Sequence, residues 1–254
     1  MSSPAQRFTG KIALVTGGSR GIGAAIVFRL AKEGAAVVFT YSSSKSKADS
    51  LVSRIQSEGG KALAIKADSR HAGEIEHAVA ITVEQFGGLN ILVNSAGILG
   101  LGSVDDYSVE QLDNMYVINV RAAYVAAQAC SKVMNRGDRI IMIGSVAGAR
   151  TGFPGSSAYS MSKSALVGLV RGLALDFAPR GITVNNIQPG PTATDMNPPD
   201  APYLEHVIAL VPLGRLGTAD EIAGMAAYLA SDDASFVTGA SLTVDGGYLD
   251  LKPV

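Results

Sequence analysis

Ile12-Ala13-Leu14-Val15-Thr16-Gly17-Gly18-Ser19-Arg20-Gly21-Ile22-Gly23 reads as a buried strand, a glycine turn and the first turn of a helix. Glycines permit positive φ and let the backbone approach a ligand closely. A helix that starts at such a turn presents free N–H groups and a partial positive charge to an anion. The spacing is Gly-x3-Gly-x-Gly rather than the more widespread Gly-x-Gly-x-x-Gly. A glycine turn can be purely structural. Its place between a first strand and a first helix makes a dinucleotide pyrophosphate the better reading. Gly17, Ser19, Arg20, Gly21, Ile22 and Gly23 are therefore candidate cofactor contacts, with core packing the alternative for Ile22 as for Ile187.

The pattern continues outward from this loop. Short β-branched runs at 12–16, 36–41, 62–66, 91–94, 140–144, 183–187 and 241–244 alternate with helical periodicity at 21–33, 45–58, 72–86, 109–135, 158–178 and 219–230. Strands alternating with helices mean parallel βαβ units. The expected fold is α/β: a single doubly wound Rossmann-type domain over 1–254, with a seven-stranded parallel sheet and helices on both faces. The least regular stretch, 190–212, carries Pro191, Pro198, Pro199, Pro202 and Pro212. It reads as a mobile flap over the substrate, with a short helix near 203–210.

The second strand ends Val37-Val38-Phe39-Thr40-Tyr41 and continues Ser42-Ser43-Ser44-Lys45. An acidic residue at that tip would hold a ribose 2′-hydroxyl and repel a 2′-phosphate. None is present there. Hydroxyls, Lys45 and the arginine fork of Arg20 suit a phosphate dianion, which favours NADP(H) over NAD(H) at Tyr41, Ser42 and Ser43. NAD(H) is the alternative cofactor, and a polar turn with a solvent-facing Arg20 is the bland reading.

Tyr159 and Lys163 stand four apart in Ala158-Tyr159-Ser160-Met161-Ser162-Lys163. On a helix they rise from one face. A cation beside a phenol favours the phenolate and lowers its pKa, making an acid–base group for neutral pH. Ser145 precedes Tyr159 by fourteen positions. Downstream of a nucleotide loop, this set points to hydride transfer with proton donation at a carbonyl oxygen.

Bulk composition bounds the rest. The chain has 254 residues, 47% hydrophobic and 17% charged, with 29 glycines and a net charge of -1. Such a chain buries a large core and has no reason to seek nucleic acid or an anionic membrane. The scarcity of charge suggests that other subunits cover part of its surface. Cys130 is the only cysteine, so no intrachain disulfide forms. It reads as a packing residue of a protein in a reducing cytoplasm. Met1–Phe8 lacks the apolar core of a signal peptide, and no apolar run is long enough for a membrane span. His71, His77 and His206 are scattered and read as surface residues, so no metal is expected.

The assembled motifs resemble the short-chain dehydrogenase/reductase family over nearly the whole chain, near its 3-oxoacyl-carrier-protein reductases and carbonyl reductases. Thr16–Gly23 matches its cofactor loop. Asn94-Ser95-Ala96-Gly97 matches its Asn-Asn-Ala-Gly motif with one substitution. Asn119, Ser145, Tyr159 and Lys163 match its catalytic tetrad, and Pro189-Gly190 and Asp245-Gly246-Gly247 match two of its turns. The resemblance implies that Tyr159 protonates the substrate oxygen and Ser145 polarises it. It implies that Lys163 lowers the phenol pKa and bonds the nicotinamide ribose. Asn119 would bend its helix and hold a water linking Lys163 to solvent. It further implies that Asp68 and Ser69 face the adenine, with Asp68 as a helix N-cap the alternative. Asn94, Ala96 and Gly97 would lie beside the adenosine ribose. Pro189, Gly190 and Thr192 would border the nicotinamide amide, with Thr194 a weaker candidate for the same bond.

The function expected is reduction of a small or medium, mostly apolar ketone or aldehyde by NADPH, reversible as alcohol oxidation. The segments 145–147, 152–154 and 98–101, with Met196 and Tyr203, would line an uncharged pocket. A 3-oxoacyl thioester on a carrier protein is the alternative, with Arg121, Arg136 and Arg150 as candidates for a basic docking patch. Enoyl reductases of the family place the tyrosine and lysine seven apart, against four here. A non-catalytic nucleotide-binding regulator is the reading from another class. Alanine- and glycine-rich helices at 109–135 and 158–178 favour self-association, and the resemblance implies a homotetramer.

Overall fold

A computed structural model describes residues 6–198 and 201–251. Met1–Ala5 and Pro199 lie outside the described residues, and with them most of the segment read for a signal peptide.

Seven strands form one parallel sheet: β1 (Ile12–Thr16), β2 (Ala36–Tyr41), β3 (Lys61–Lys66), β4 (Ile91–Asn94), β5 (Arg139–Ile143), β6 (Thr183–Pro189) and β7 (Ser241–Val244). Their order is β3-β2-β1-β4-β5-β6-β7. The order reverses between β1 and β4, which opens a crevice at the carboxyl ends of those strands. The helices are α1 (Gly21–Lys32), α2 (Lys45–Ser57), α3 (Ala72–Phe86), α4 (Val109–Tyr116), α5 (Ala122–Ser131), α6 (Ser157–Phe177), α7 (Leu204–Ala209) and α8 (Ala219–Ala230).

Successive strand residues face opposite ways, and both faces are buried. Val15, Val37, Phe39, Ile91 and Val93 join one core layer with Ile26, Val27 and Leu30 of α1 and Ala223 and Ala227 of α8. Leu14, Val38 and Leu92 join the other with Val79 of α3, Ala126 of α5 and Val170 of α6. This explains why the strands read as continuous apolar runs rather than alternating ones. Cys130 sits fully buried in the second layer, where burial pushes its thiol pKa up. That suits packing rather than reactivity.

The expected helix over 109–135 is the main departure. It breaks into α4, a π-helical turn at Val117–Arg121 and α5, which stops at Ser131. A capping box of Ser108 and Gln111 starts it. The π turn widens the helix at Asn119, where sequence alone suggested only a bend. Among the described residues no helix is long and apolar enough to cross a membrane.

Candidate active site

The glycine loop leaves β1 at the crevice. Gly17 adopts φ +66°, and a Cβ on Gly23 would stand 2.3 Å from the Gly17 carbonyl oxygen. Only glycine fits there, because the turn folds back onto the first turn of α1. Arg20, the N-cap of α1, makes no side-chain cap bond, so the first-turn N–H groups stay available to an anion. Two threonines to which the sequence reading gave no contact of their own hold the loop. Thr40 Oγ1 accepts the Gly17 N–H at 3.1 Å. Thr16 Oγ1 donates to Asn94 Oδ1 at 3.0 Å and accepts the N–H groups of Ser95 and Ala96 at 3.2 Å each.

Around this loop one cleft is lined by Gly17, Ser19, Arg20, Gly21, Ile22, Gly23, Tyr41, Ser42, Ser43, Asp68, Ser69, Ala96, Gly97, Tyr159, Lys163 and Thr194. Most of the cofactor candidates thus meet in one place. Ile22 lines the cleft while packing on the core, whereas Ile187 is wholly core. Four candidates stand back from the wall. Asn94 is buried behind it, tying β4 to Thr16. Pro189 ends β6, and Gly190 packs so closely on Asp245 that a Cβ there would lie 2.4 Å from the aspartate Cβ. Thr192 is buried and donates its hydroxyl to the Gly190 carbonyl at 2.9 Å, which spends its donor. Thr194, the weaker candidate in sequence, is the threonine that reaches the cleft.

Asp68 is no helix cap. The N-cap of α3 is His71, and Asp68 accepts from Arg70, whose hydrogen bonds hold its carboxyl below the usual range. The lysine near the β2 tip also differs from expectation. Lys45 pairs with Asp49 at 2.7 Å along α2. Lys47 instead reaches Asp195 Oδ2 at 2.5 Å, and Arg20 lies 3.8 Å from the same oxygen. The sequence near β2 shows no acid, but the fold delivers one from beyond β6.

At the other end of the cleft α6 carries Tyr159 and Lys163 one turn apart. Lys163 is buried and donates to the Ile143 carbonyl at 3.1 Å. Its Nζ is 5.8 Å from the centre of the Tyr159 ring. Burial drives its pKa down to about 8. Burial also pushes the Tyr159 phenol up, and a hydrogen bond with Ser145 only partly offsets this. Lys163 therefore does not lower the phenol as the sequence predicts. The ammonium turns to a backbone carbonyl instead of the phenol oxygen. Ser145 Oγ accepts the Ala147 N–H at 3.1 Å, which fixes the hydroxyl and leaves its proton to donate.

Asn119 is buried, with its side chain fully employed. Its Oδ1 accepts the Ile98 N–H at 2.8 Å, and Nδ2 donates to the Ile98 carbonyl and to Ser162 Oγ, each at 3.0 Å. It pins the segment after β4 to α6, and Ser162, absent from the sequence reading, completes that clamp. Of the apolar residues expected at the substrate pocket, Met196 lines the cleft, and Leu99, Leu101, Phe153 and Tyr203 are exposed. His71, His77 and His206 are exposed as expected, and no metal-binding cluster occurs among the described residues.

A family model described as enoyl-(acyl carrier protein) reductase matches residues 17–249. A short-chain dehydrogenase/reductase of Serratia marcescens is 51% identical, with 96% of this chain and 99% of that one aligned at a TM-score of 0.94. The chain belongs to the short-chain dehydrogenase/reductase family. Within it, a short chain dehydrogenase of Burkholderia cenocepacia, solved in complex with NADP, is 45% identical, with 95% and 99% aligned and a TM-score of 0.94. The cyclic-di-GMP-binding biofilm dispersal mediator protein of Escherichia coli is 46% identical over 241 residues, 95% of this chain and 98% of that one. The chain is an oxidoreductase by family.

Proposed function

We propose that the chain reduces small or medium, mostly apolar ketones or aldehydes with NADPH, reversibly, with Tyr159 as proton donor. The observation that carries this reading is the pairing of a fixed Ser145 hydroxyl with Tyr159 beside the glycine-loop cleft. The residues fit a phosphorylated dinucleotide. The uncapped start of α1 and the close turn at Gly23 suit a pyrophosphate, and Arg20 with Ser42 and Ser43 suits a 2′-phosphate. The Burkholderia relative solved with NADP supports the same choice.

Bound NADPH supplies the hydride. Ser145 donates a hydrogen bond to the substrate oxygen and stabilises the charge that develops there. Tyr159 gives that oxygen its proton. Lys163, one turn along α6 with its Nζ 5.8 Å from the centre of the Tyr159 ring, would stabilise the phenolate left behind once it turns from the Ile143 carbonyl toward the phenol oxygen. Asn119 positions the segment after β4 beside α6, and the family resemblance gives it the water that links Lys163 to solvent and returns the proton. Met196 and the exposed Leu99, Leu101 and Phe153 would accept apolar substituents.

The Tyr-x3-Lys spacing favours carbonyl over enoyl reduction, despite the wording of the family model. Delivery of a 3-oxoacyl thioester by a carrier protein is less well supported. Arg136 abuts Gly181 and precedes β5, at the amino-terminal end of the strands and away from the cleft, whereas Arg121 and Arg150 follow the carboxyl ends of β4 and β5. The second reading is a nucleotide-binding regulator without turnover, favoured by the name of the Escherichia coli relative. We assign the chain to a reducing cytoplasm on the strength of its single buried cysteine. Self-association, with a homotetramer expected, would cover the exposed Tyr116, Tyr124, Leu175 and Phe236.

The test is NADPH and NADH oxidation, side by side, against ketones, aldehydes, diketones and 3-oxoacyl esters. Turnover of apolar ketones with NADPH supports the proposal. Tight NADPH binding without turnover of any member would replace it with the regulator.

A further inference from the structure

We propose that Lys47 is a second cation for the ribose 2′-phosphate, and that Asp195 is its stand-in counter-ion, displaced when the phosphate arrives. This rests on the NADP(H) reading above and extends it to two residues outside the glycine loop.

Lys47 lies in the first turn of α2, just past Ser42, Ser43 and Ser44, which line the cleft. Its ammonium touches Asp195 Oδ2 at 2.5 Å, and the guanidinium of Arg20 is 3.8 Å from that same oxygen. Two cations therefore converge on one carboxylate oxygen at the mouth of the cleft. The anion comes from 148 residues away, beyond β6, while both cations belong to the β1 and β2 side. The contact spans the cleft where the adenosine end of a dinucleotide would lie.

The charges do not balance. Asp195 supplies one negative charge to two positive ones, and Asp49, on the same helix as Lys47, is taken by Lys45. Lys47, Asp195 and Arg20 are 54%, 47% and 45% exposed. An ion pair that open to water is weak and easily exchanged. A phosphate carrying close to two negative charges, with three acceptor oxygens, is the stronger partner for both cations. The start of α2 adds to the attraction. Its N-cap, Ser44, makes no side-chain cap bond and the first turn holds no acid. An unphosphorylated ribose offers Lys47 nothing in exchange for Asp195. The pair therefore discriminates between the two dinucleotides.

The experiment is calorimetric titration of NADPH and NADH into the full chain and its Lys47→Met, Asp195→Asn and Arg20→Met variants. Lys47→Met is expected to weaken NADPH about ten-fold, leave NADH within about two-fold and flatten the salt dependence of NADPH binding. Asp195→Asn is expected to tighten NADPH about three-fold with NADH little changed, because the competitor is removed. A loss of both cofactors alike on Lys47→Met, or no loss of either, overturns the proposal. So does weaker NADPH binding by Asp195→Asn, which would make Asp195 a cofactor contact. Arg20→Met separates the two levels of inference. If the unaltered chain shows no preference for NADPH, the underlying cofactor reading falls too, and if it prefers NADPH but Arg20→Met leaves that preference intact, the 2′-phosphate is not read at this end. If Arg20→Met narrows the preference while Lys47→Met does not, only the role of Lys47 and Asp195 is refuted.

Discussion

Replacing Lys163 by methionine is expected to stabilise the ligand-free protein while abolishing its turnover. The lysine is buried, and its only hydrogen bond among the described residues goes to the Ile143 carbonyl. Burial lowers its pKa from 10.5 to about 8. At roughly 1.4 kcal/mol per pKa unit, keeping it charged costs the fold roughly 3 kcal/mol at neutral pH. Methionine has similar length, fills the site and carries no charge. It forfeits one hydrogen bond worth about 1 kcal/mol. The net expectation is a gain of about 2 kcal/mol at pH 7, or roughly 4–8 °C in Tm for a chain of this size. The pH dependence sharpens the claim. The unfolded chain keeps the lysine proton up to the ordinary pKa of 10.5, whereas the folded chain releases it near 8. Between those values the unfolded state binds more protons, so wild-type stability rises with pH and the gap to the variant closes. Thermal unfolding of both proteins without cofactor, at fixed protein concentration from pH 7 to pH 10, reads this directly. A variant less stable than wild type at pH 7, or a gap that does not narrow toward pH 10, refutes the reasoning. The site then carries the ammonium at no cost.

Three other perturbations probe separate parts of the molecule. Tyr159→Phe should lower kcat by about 10²- to 10⁴-fold and leave the NADPH dissociation constant within about three-fold, as measured by steady-state kinetics and titration. Gly23→Ala places a Cβ 2.3 Å from the Gly17 oxygen, so cofactor binding should weaken by at least about ten-fold, read by calorimetry. Glu33→Gln should destabilise the fold by about 2–3 kcal/mol in urea titrations, because Glu33 is buried against Arg7 at 2.7 Å and also bonds Arg29. Burial pushes the Glu33 pKa up, but the two arginines outweigh it and hold the carboxyl below 4.5. Its contribution is therefore present above about pH 4.5 and fades as the pH falls through the depressed value, so the variant's deficit should shrink in acid.

Much of this protein is legible in order along the chain. Strands such as Ile12–Thr16, Ala36–Tyr41 and Ile91–Asn94 appear where apolar β-branched runs end in turn residues. Their length and composition are local properties, and burial on both sheet faces makes the runs continuous. The glycine loop is equally local, since Gly17 and Gly23 meet within one turn. Tyr159 and Lys163 are brought together by helical geometry alone, and Ser145 follows from the family pattern. What the sequence could not order were contacts made across the sheet. Thr40 meets Gly17 because β2 pairs with β1. Thr194 rather than Thr192 faces the cleft because the turn after β6 spends the Thr192 hydroxyl on its own backbone. The π turn at Asn119 depends on bonds to Ile98 and Ser162 from other elements. The charge of the phosphate end was read without its acid, because Asp195 reaches Lys47 only once the parallel sheet sets the carboxyl ends of β2 and β6 on the same side. The direction of the Tyr159 shift was likewise invisible, since it is set by burial and by the turn of Lys163 toward Ile143. Local periodicity and motif spacing thus determined the fold and pointed to the proposed catalytic groups. Only packing decided their electrostatics, because desolvation and long-range charge pairing exist only once distant segments share one crevice.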